Sequence, residues 1–222
     1  MFGWGKKDAD HPSSVENLGG KLLDAVDFCV LDCEMTGLDP QQHQIIALGA
    51  VRISGGCVAM NRRFYRLIKP QNLEMSRENV LIHGISHQAL EKGHPAEEVY
   101  RAFREFCGDA VLVGHCVGLD MAFLAAIETR LGLPGFEQPV LDTMKLGRWH
   151  LQYLDRNRPV QEGNLLQLSQ LCARYGVPQF QQHHAFFDAV TTACLFRKQW
   201  ELLHGAGYYT FADLHRLSRQ TH

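Results

Sequence analysis

The segment LDCEMTGLDP (Leu31–Pro40) ends an apolar run with two acids placed one residue apart. Side chains alternate between the two faces of a strand, so we expect Asp32 and Glu34 to point the same way and Cys33 to point into the opposite layer. Two close carboxylates raise each other's pKa unless a cation neutralises them, and hard divalent cations prefer carboxylate oxygens. The segment therefore indicates a metal site at a strand end, with a solvent-exposed strand end, or a turn whose acids are hydrogen-bonded, as an equally open alternative.

The segments on either side of this stretch are rich in β-forming residues. Strands are expected at Asp27–Glu34, Gln44–Ser54 and Cys57–Pro70, with a Gly-Gly turn between the last two. After them, helical patterns alternate with short apolar runs. Three strands followed by α-β-α units predict an α/β fold with a mixed sheet and helices on its faces.

The later elements follow from apolar periodicity and turn residues. A long polar segment, Trp149–Asn164, is predicted to be a mobile loop. A short amphipathic helix is expected to lead into the domain at Val15–Val26. The remaining expected elements are helices at Ala96–Cys107, Leu119–Leu131, Leu165–Tyr175 and Ala185–Leu203, a strand at Val111–Val113, and a strand or turn at Val140–Asp142.

Composition limits the class of protein. The 222 residues suit one domain, and 22 Lys plus Arg balance 24 Asp plus Glu, so a nucleic-acid partner would need local positive patches. Seven scattered cysteines without a C-x-x-C pair argue against a disulfide framework and a zinc ribbon. No apolar run has the length of a signal peptide core or a membrane span, so we expect a cytoplasmic protein.

Two more acids and a histidine occupy informative positions. Asp120 follows a short apolar strand and a Gly turn, near the start of a helix, where an Asp is commonly a cap. Asp188 lies in an apolar helical stretch and needs a cation or hydrogen bonds. His183 precedes Asp188 by five residues, whereas side chains on one helix face are three or four residues apart. We therefore place His183 on the loop before the helix. There it could exchange a proton near neutral pH or be an ordinary solvated residue.

As a set, these residues resemble the DEDDh 3′→5′ exonucleases, a DnaQ-like superfamily that includes proofreading subunits of bacterial DNA polymerase III. The likeness spans roughly Asp27 to His204. DCEMTGLD, GHCVGLDMAFL and HHAFFDA are similar to the three main motifs, and IHGIS and LDT to two supporting ones. The second motif departs from the usual pattern at Cys116 and Leu119, where Asn and Phe are common.

The resemblance implies a ribonuclease H-like fold with a mixed five-stranded sheet and helices on both faces. It implies that Asp32, Glu34, Asp120 and Asp188 hold two Mg²⁺ or Mn²⁺ ions and that His183 is the general base. It also implies a pocket for the 3′-terminal nucleotide lined by Thr36, Gly37, Leu38, His83 and Ile85. The expected organisation is an N-terminal extension at 1–26, an exonuclease domain at 27–204 and a C-terminal tail at 205–222.

The expected reaction is hydrolysis from the 3′ end of DNA, releasing nucleoside monophosphates. The expected partner is a single-stranded or frayed 3′ end, and a polymerase or another repair protein is open as a second partner. A stand-alone enzyme of repair or turnover is favoured over a proofreading subunit. RNA or oligoribonucleotide cleavage stays open, as does a non-catalytic binding or polymerase-interaction module. Basic residues that could hold a strand are Arg62, Arg63, Arg66 and Lys69, or Lys145, Arg148, Arg156 and Arg158, with ordinary solvated charges as the alternative.

Overall fold

The computed structural model describes residues 15–71, 84–154 and 165–219. In this part of the chain, five strands form one sheet with helices packed on both faces. The mixed five-stranded sheet expected from the sequence is confirmed. The strands are β1 (Phe28–Met35), β2 (Ile45–Ser54), β3 (Cys57–Leu67), β4 (Val111–Gly114) and β5 (Val140–Asp142).

Eight α-helices lie in the described part of the chain, before, between and after the strands. The helix at Ala96–Cys107 has the predicted bounds, and its apolar stripe is buried. A short 3₁₀ turn at Leu23–Ala25 precedes β1. The α-helices are α1 (Val15–Leu18), α2 (His87–Glu91), α3 (Ala96–Cys107), α4 (Gly118–Leu131), α5 (Thr143–Tyr153), α6 (Leu168–Tyr175), α7 (Ala185–Gly205) and α8 (Phe211–Arg219).

The strand order is β3-β2-β1-β4-β5. The first three strands form the expected antiparallel meander, and β4 and β5 add to β1 in parallel. Because β1 is central, its carboxyl end is flanked by the ends of its neighbours and by the loops that follow them. This edge is where α/β sheets present functional side chains.

Alternate residues of β1 enter two separate cores. Phe28 and Val30 pack with Phe196 of α7, whereas Cys29 and Leu31 pack with Phe103 of α3. Asp32 and Glu34 continue the α7 side of the strand. Cys33 joins the α3 side, as the alternation predicts.

Both ends of the described chain contribute to the α7-side core. Leu18 and Leu23 before β1 are buried there, together with Phe211 and Leu214 of α8. Helix α8 packs on α5, and α1 packs on α8. Segments outside residues 27–204 therefore share the core of the central domain, and the division at residues 26 and 204 stays a prediction.

Three local predictions were wrong. Trp149–Tyr153 is helical rather than loop, because Asp142 caps α5 by accepting a hydrogen bond from the Met144 amide at 2.9 Å, and Trp149 packs edge-on against Tyr208. The rest of the predicted loop, apart from Leu154, lies at 155–164, outside the described residues. Helix α1 ends at Leu18, and α6 begins at Leu168 rather than Leu165.

No helix in the described ranges combines the length and the apolar character that crossing a lipid bilayer requires.

Candidate active site

Two of the acids lie at the carboxyl end of β1, on its α7 face. Asp32 pairs with Gly49 of β2, and Glu34 pairs with Ala47. The register shifts immediately after Glu34, which ends the regular ladder. Glu34 is buried (5% exposed), and Asp32 is half-buried.

The small residues of β2 make room for the helix that carries the third acid. A Cβ at Gly49 would overlap the backbone of Ala185 and Phe186. Ala185, the first residue of α7, is fully buried beside Ala47. Only a glycine at position 49 lets α7 begin this close to the sheet, and this approach brings Asp188, in the first turn of the helix, over β1.

The carboxylates of Asp32, Glu34 and Asp188 form one compact group. Each offers an oxygen, and the three oxygens lie within 4.8 Å of one another. The Asp188 carboxylate also accepts a hydrogen bond from the His184 amide at 3.2 Å, which fixes it at the start of α7. Three carboxylate oxygens at this separation suit a hard divalent cation.

Asp120 approaches the same place from the other side of β1. It lies in the first turn of α4, is buried, and accepts a hydrogen bond from the Cys33 amide at 2.9 Å. Its negative charge raises the pKa of Asp32. The structure therefore brings all four predicted acids together, with three in the compact group and Asp120 held beside them by β1.

Burial and mutual repulsion govern how these acids bind protons. Burial raises the pKa of Asp32, and the charges of Asp120, Glu34 and Asp188 raise it further. Burial raises the pKa of Asp120 to about 7, although the hydrogen bond from Cys33 opposes the change. Burial also raises the pKa of Asp188. Clusters of acids with raised pKa values commonly mark metal or catalytic sites.

His183 lies on the loop before α7, as predicted. Its backbone has a positive φ of 58°, and its side chain is exposed. It lines a cavity of about 470 Å³ that Asp32 and Asp188 also line. His184 is the N-cap residue of α7, and its ring stacks on Tyr65 at a centroid distance of 4.6 Å. The structure thus separates the two neighbouring histidines: only His183 faces the carboxylate cavity.

The wall of this cavity includes residues that sequence reasoning did not assign. His115 is half-buried, its Nδ1 lies 2.9 Å from the Thr143 hydroxyl, and burial lowers its pKa. Its place in the GHCVGLD segment was the only available signal. The other unassigned lining residues are Gln167, Leu168, Ser169, Gln179, Phe180, Gln182 and Thr191.

The predicted nucleotide pocket begins with the loop after β1. Thr36 is buried, and its hydroxyl accepts a hydrogen bond from the Gln44 amide at 3.0 Å. A Cβ at Gly37 would overlap the His43 imidazole. Leu38 is 79% exposed, so this loop holds an apolar side chain out into solvent.

The second part of that pocket is different. Ile85 is buried (9% exposed) and packs with Ala47 and Ala185, beneath the start of α7. His83 lies outside the described residues. The substrate contacts assigned to these residues stay predictions.

The GHCVGLD and LDT segments support each other. Cys116 has a positive φ of 56° and donates its amide hydrogen to the Asp142 carboxylate at 3.0 Å. The Thr143 hydroxyl donates to the Gly114 carbonyl at 3.2 Å. Together these bonds hold the turn between β4 and α4, which places Asp120.

Comparison with known proteins identifies the family of the chain. A family model described as "Exonuclease" (RNase_T) matches residues 29–196. The chain is 34% identical over 191 residues to the PolC-type DNA polymerase III of Thermotoga maritima. That match covers 86% of this chain and 13% of the relative, so the chain spans about an eighth of the relative's length.

Solved structures share the fold. E. coli exonuclease I in complex with a dT13 oligonucleotide superposes with a TM-score of 0.69 at 17% identity, covering 82% of this chain and 44% of that one. Cell-death related nuclease 4 superposes with a TM-score of 0.66 at 15% identity, covering 79% of this chain and 64% of that one. The fold is thus that of the ribonuclease H-like exonucleases, and the chain belongs to the exonuclease family that matches residues 29–196.

Proposed function

We propose that this protein is a metal-dependent 3′→5′ exonuclease that acts on DNA and releases nucleoside 5′-monophosphates. The observation that carries the proposal is the compact group of Asp32, Glu34 and Asp188 beside a cavity that His183 also lines. Membership of the exonuclease family supports nuclease chemistry at this site.

The donor set fits divalent cations. Its oxygens are all from carboxylates, which Mg²⁺ and Mn²⁺ prefer, and the raised pKa values of Asp32 and Asp188 reflect buried charges that a cation would stabilise. We propose two such ions, held by these residues with Glu34 and Asp120. When bound, the ions would lower the pKa of a water molecule and stabilise charge on the leaving oxygen.

His183 is proposed to accept the proton of the attacking water. Its exposed side chain lines the cavity, and an imidazole can take a proton near neutral pH. The water oxygen forms the new bond to phosphorus, and the bond from phosphorus to the 3′ oxygen of the preceding nucleotide breaks. That oxygen leaves as a 3′ hydroxyl after gaining a proton from solvent, and the terminal nucleotide leaves with a 5′ phosphate.

Attack at a chain end requires a place for one terminal nucleotide. The loop of Thr36, Gly37 and Leu38 lies directly after the β1 carboxylates, and the exposed Leu38 side chain could separate the terminal base from its neighbour. Apolar contact of this kind tolerates every base. We therefore expect weak sequence preference.

Two comparisons support DNA as the substrate. The relative from Thermotoga maritima is a DNA polymerase, and the exonuclease I structure contains a deoxythymidine oligonucleotide. We propose a stand-alone enzyme of DNA repair or turnover. If the enzyme instead proofreads, its partner would be a DNA polymerase, and the similarity to the same relative supports this alternative.

The test uses single-stranded DNA and RNA of one sequence, each labelled at the 5′ end, with Mg²⁺, Mn²⁺ or EDTA. We expect a ladder that shortens from the 3′ end of DNA, depends on the metal and slows strongly in His183→Ala. If RNA is shortened faster than DNA, the preferred substrate is RNA. If either nucleic acid binds but is not shortened with Mg²⁺ or with Mn²⁺, the protein is a binding module and not an enzyme.

A further inference from the structure

A groove separates the edge strand β3 from the start of α7, and we call it the β3–α7 groove. Its volume is about 420 Å³. It is lined by Arg63, Tyr65, Arg66, His184, Phe186 and Phe187. None of these residues belongs to the carboxylate group.

Aromatic rings form one wall of the groove. The Tyr65 and His184 rings stack with centroids 4.6 Å apart and planes at 22°. The Phe187 ring follows, with its centroid 4.8 Å from that of His184. Phe187 is half-buried, so part of its surface stays open to a ligand. Such a wall offers stacking surface to planar groups.

Two arginines also line the groove. Arg63 is exposed, and no carboxylate in the described ranges forms an ion pair with it. Arg66 is also exposed, donates a hydrogen bond to the Tyr65 carbonyl at 2.9 Å, and has its guanidinium carbon 5.6 Å from the centroid of the Phe64 ring. None of the described lining residues is acidic. The groove therefore combines cationic and aromatic groups.

The groove adjoins the carboxylates without including them. His184 follows His183 in the chain, and its amide donates to Asp188. Burial raises the pKa of the Tyr65 phenol, and the negative charge of the nearby Glu34 raises it further. A nucleic-acid strand whose 3′ end lies at the carboxylates would therefore pass close to the groove.

We propose that the β3–α7 groove is a second binding site for single-stranded nucleic acid, in which Arg63 and Arg66 contact phosphates and the Phe187 ring contacts bases. A chain that alternates anionic phosphates with planar bases suits a groove lined by both arginines and aromatic rings. The inference rests on the proposed function, because it adds a strand contact to the same site. The groove supplies affinity and no chemistry.

The test measures binding of a labelled single strand of about 20 nucleotides by fluorescence anisotropy, in EDTA, between about 50 and 200 mM KCl. The variant is Arg63→Ser with Arg66→Ser. Its control is Arg101→Ser with Arg130→Ser, which removes equal charge from two exposed residues outside the groove. Thermal melting confirms that both variants are folded.

We expect the groove variant to lose roughly tenfold in affinity at the lowest salt and the slope of log Kd against log salt to become shallower by about 1.4, since each phosphate contact on a single strand contributes about 0.7. The control should match the unmodified protein. A strand with abasic sites should bind at least about fivefold less tightly to the unmodified protein, and Phe187→Leu should narrow this difference.

Equal losses in the control and the groove variant, or no measurable binding by the unmodified protein, would overturn the inference. The result is independent of hydrolysis because EDTA removes the metal. If the protein shortens DNA strands in Mg²⁺ but the groove variant binds them normally, the binding role of the groove is rejected and the exonuclease function is supported. If strands bind through the groove but are never shortened, the proposed function fails alone.

Discussion

Gly49 lies directly opposite Asp32 in the β1–β2 ladder, and the missing side chain of the glycine is the space into which α7 begins. The position of Asp188 over Asp32 depends on this contact between the backbones of a strand and a helix. A side chain at position 49 has no flexible neighbour to displace, because the atoms it would meet belong to the main chain of Ala185 and Phe186.

Gly49→Ala should therefore move α7 away from the sheet. We expect a loss of stability of about 1–3 kcal/mol, as for other overpacked cores, and a loss of activity larger than the loss of folded protein explains. Urea unfolding and the exonuclease rate measure the two effects. Gly205→Ala, at the open end of the same helix, is the control and should cost little in either.

His183→Ala should lower kcat by roughly 10²–10⁴, the usual contribution of a general base. The melting temperature should fall only slightly, because the side chain is exposed and both histidine and alanine carry a Cβ at the positive φ of this position. Isothermal titration with Mn²⁺ should show unchanged metal binding. The exposed His94→Ala serves as the control. Loss of metal binding in His183→Ala would assign the histidine to the metal site instead.

The metal-free protein should lose stability as the pH rises toward neutral. The pKa of Asp120 is about 7 in the folded protein and about 4 in an unfolded chain, so the folded state holds the proton more tightly between these values. The stabilising contribution is complete below about pH 4 and is lost as the pH rises through about 7.

This pH effect is measured by thermal melting in EDTA between about pH 4 and 8. Asp120→Asn should flatten the decline, since its amide oxygen can still accept the Cys33 hydrogen bond but binds no proton. Exposed Asp24→Asn should keep the decline of the unmodified protein. Added Mg²⁺ should restore stability at the high end of the range. A profile in Asp120→Asn identical to that of the unmodified protein would contradict the assignment.

Cys116→Asn should stabilise the protein by up to about 1 kcal/mol. The residue has a φ of 56°, a conformation that asparagine tolerates better than most side chains, and its amide bond to Asp142 is unaffected. Cys116→Val should destabilise it, because a β-branched residue is strained there. Urea unfolding distinguishes the two variants, and equal effects would show that backbone strain at position 116 is unimportant.

Much of the site could be predicted because its signals are local. A spacing of two on an apolar strand places Asp32 and Glu34 on one face. The turns before α4 and α7 mark the starts of these helices, whose first turns carry Asp120 and Asp188. The same period assigns Cys33 to the other core. The central strand, the meander and the major helices follow from equally local patterns.

The remainder depends on contacts between distant segments. The need for glycine at position 49 appears only once α7 is packed on β2. Helix α5 includes Gly147, a residue that disfavours helix, and its Trp149 packs against Tyr208, which lies far away in the sequence. Helix α8 did have a readable signal, the spacing of three between its buried apolar residues, Phe211, Leu214 and Leu217.

Helix α7 has 21 residues, which corresponds to a rod about 31 Å long. Asp188 lies at one end, and Trp200 lies near the other, where it packs against Phe28. A rod of this length works as a lever: a tilt of about one degree at the Trp200 end displaces the opposite end by a few tenths of an ångström. Replacing Trp200 by a smaller side chain should therefore shift the position of the Asp188 carboxylate, although the two residues are not in contact.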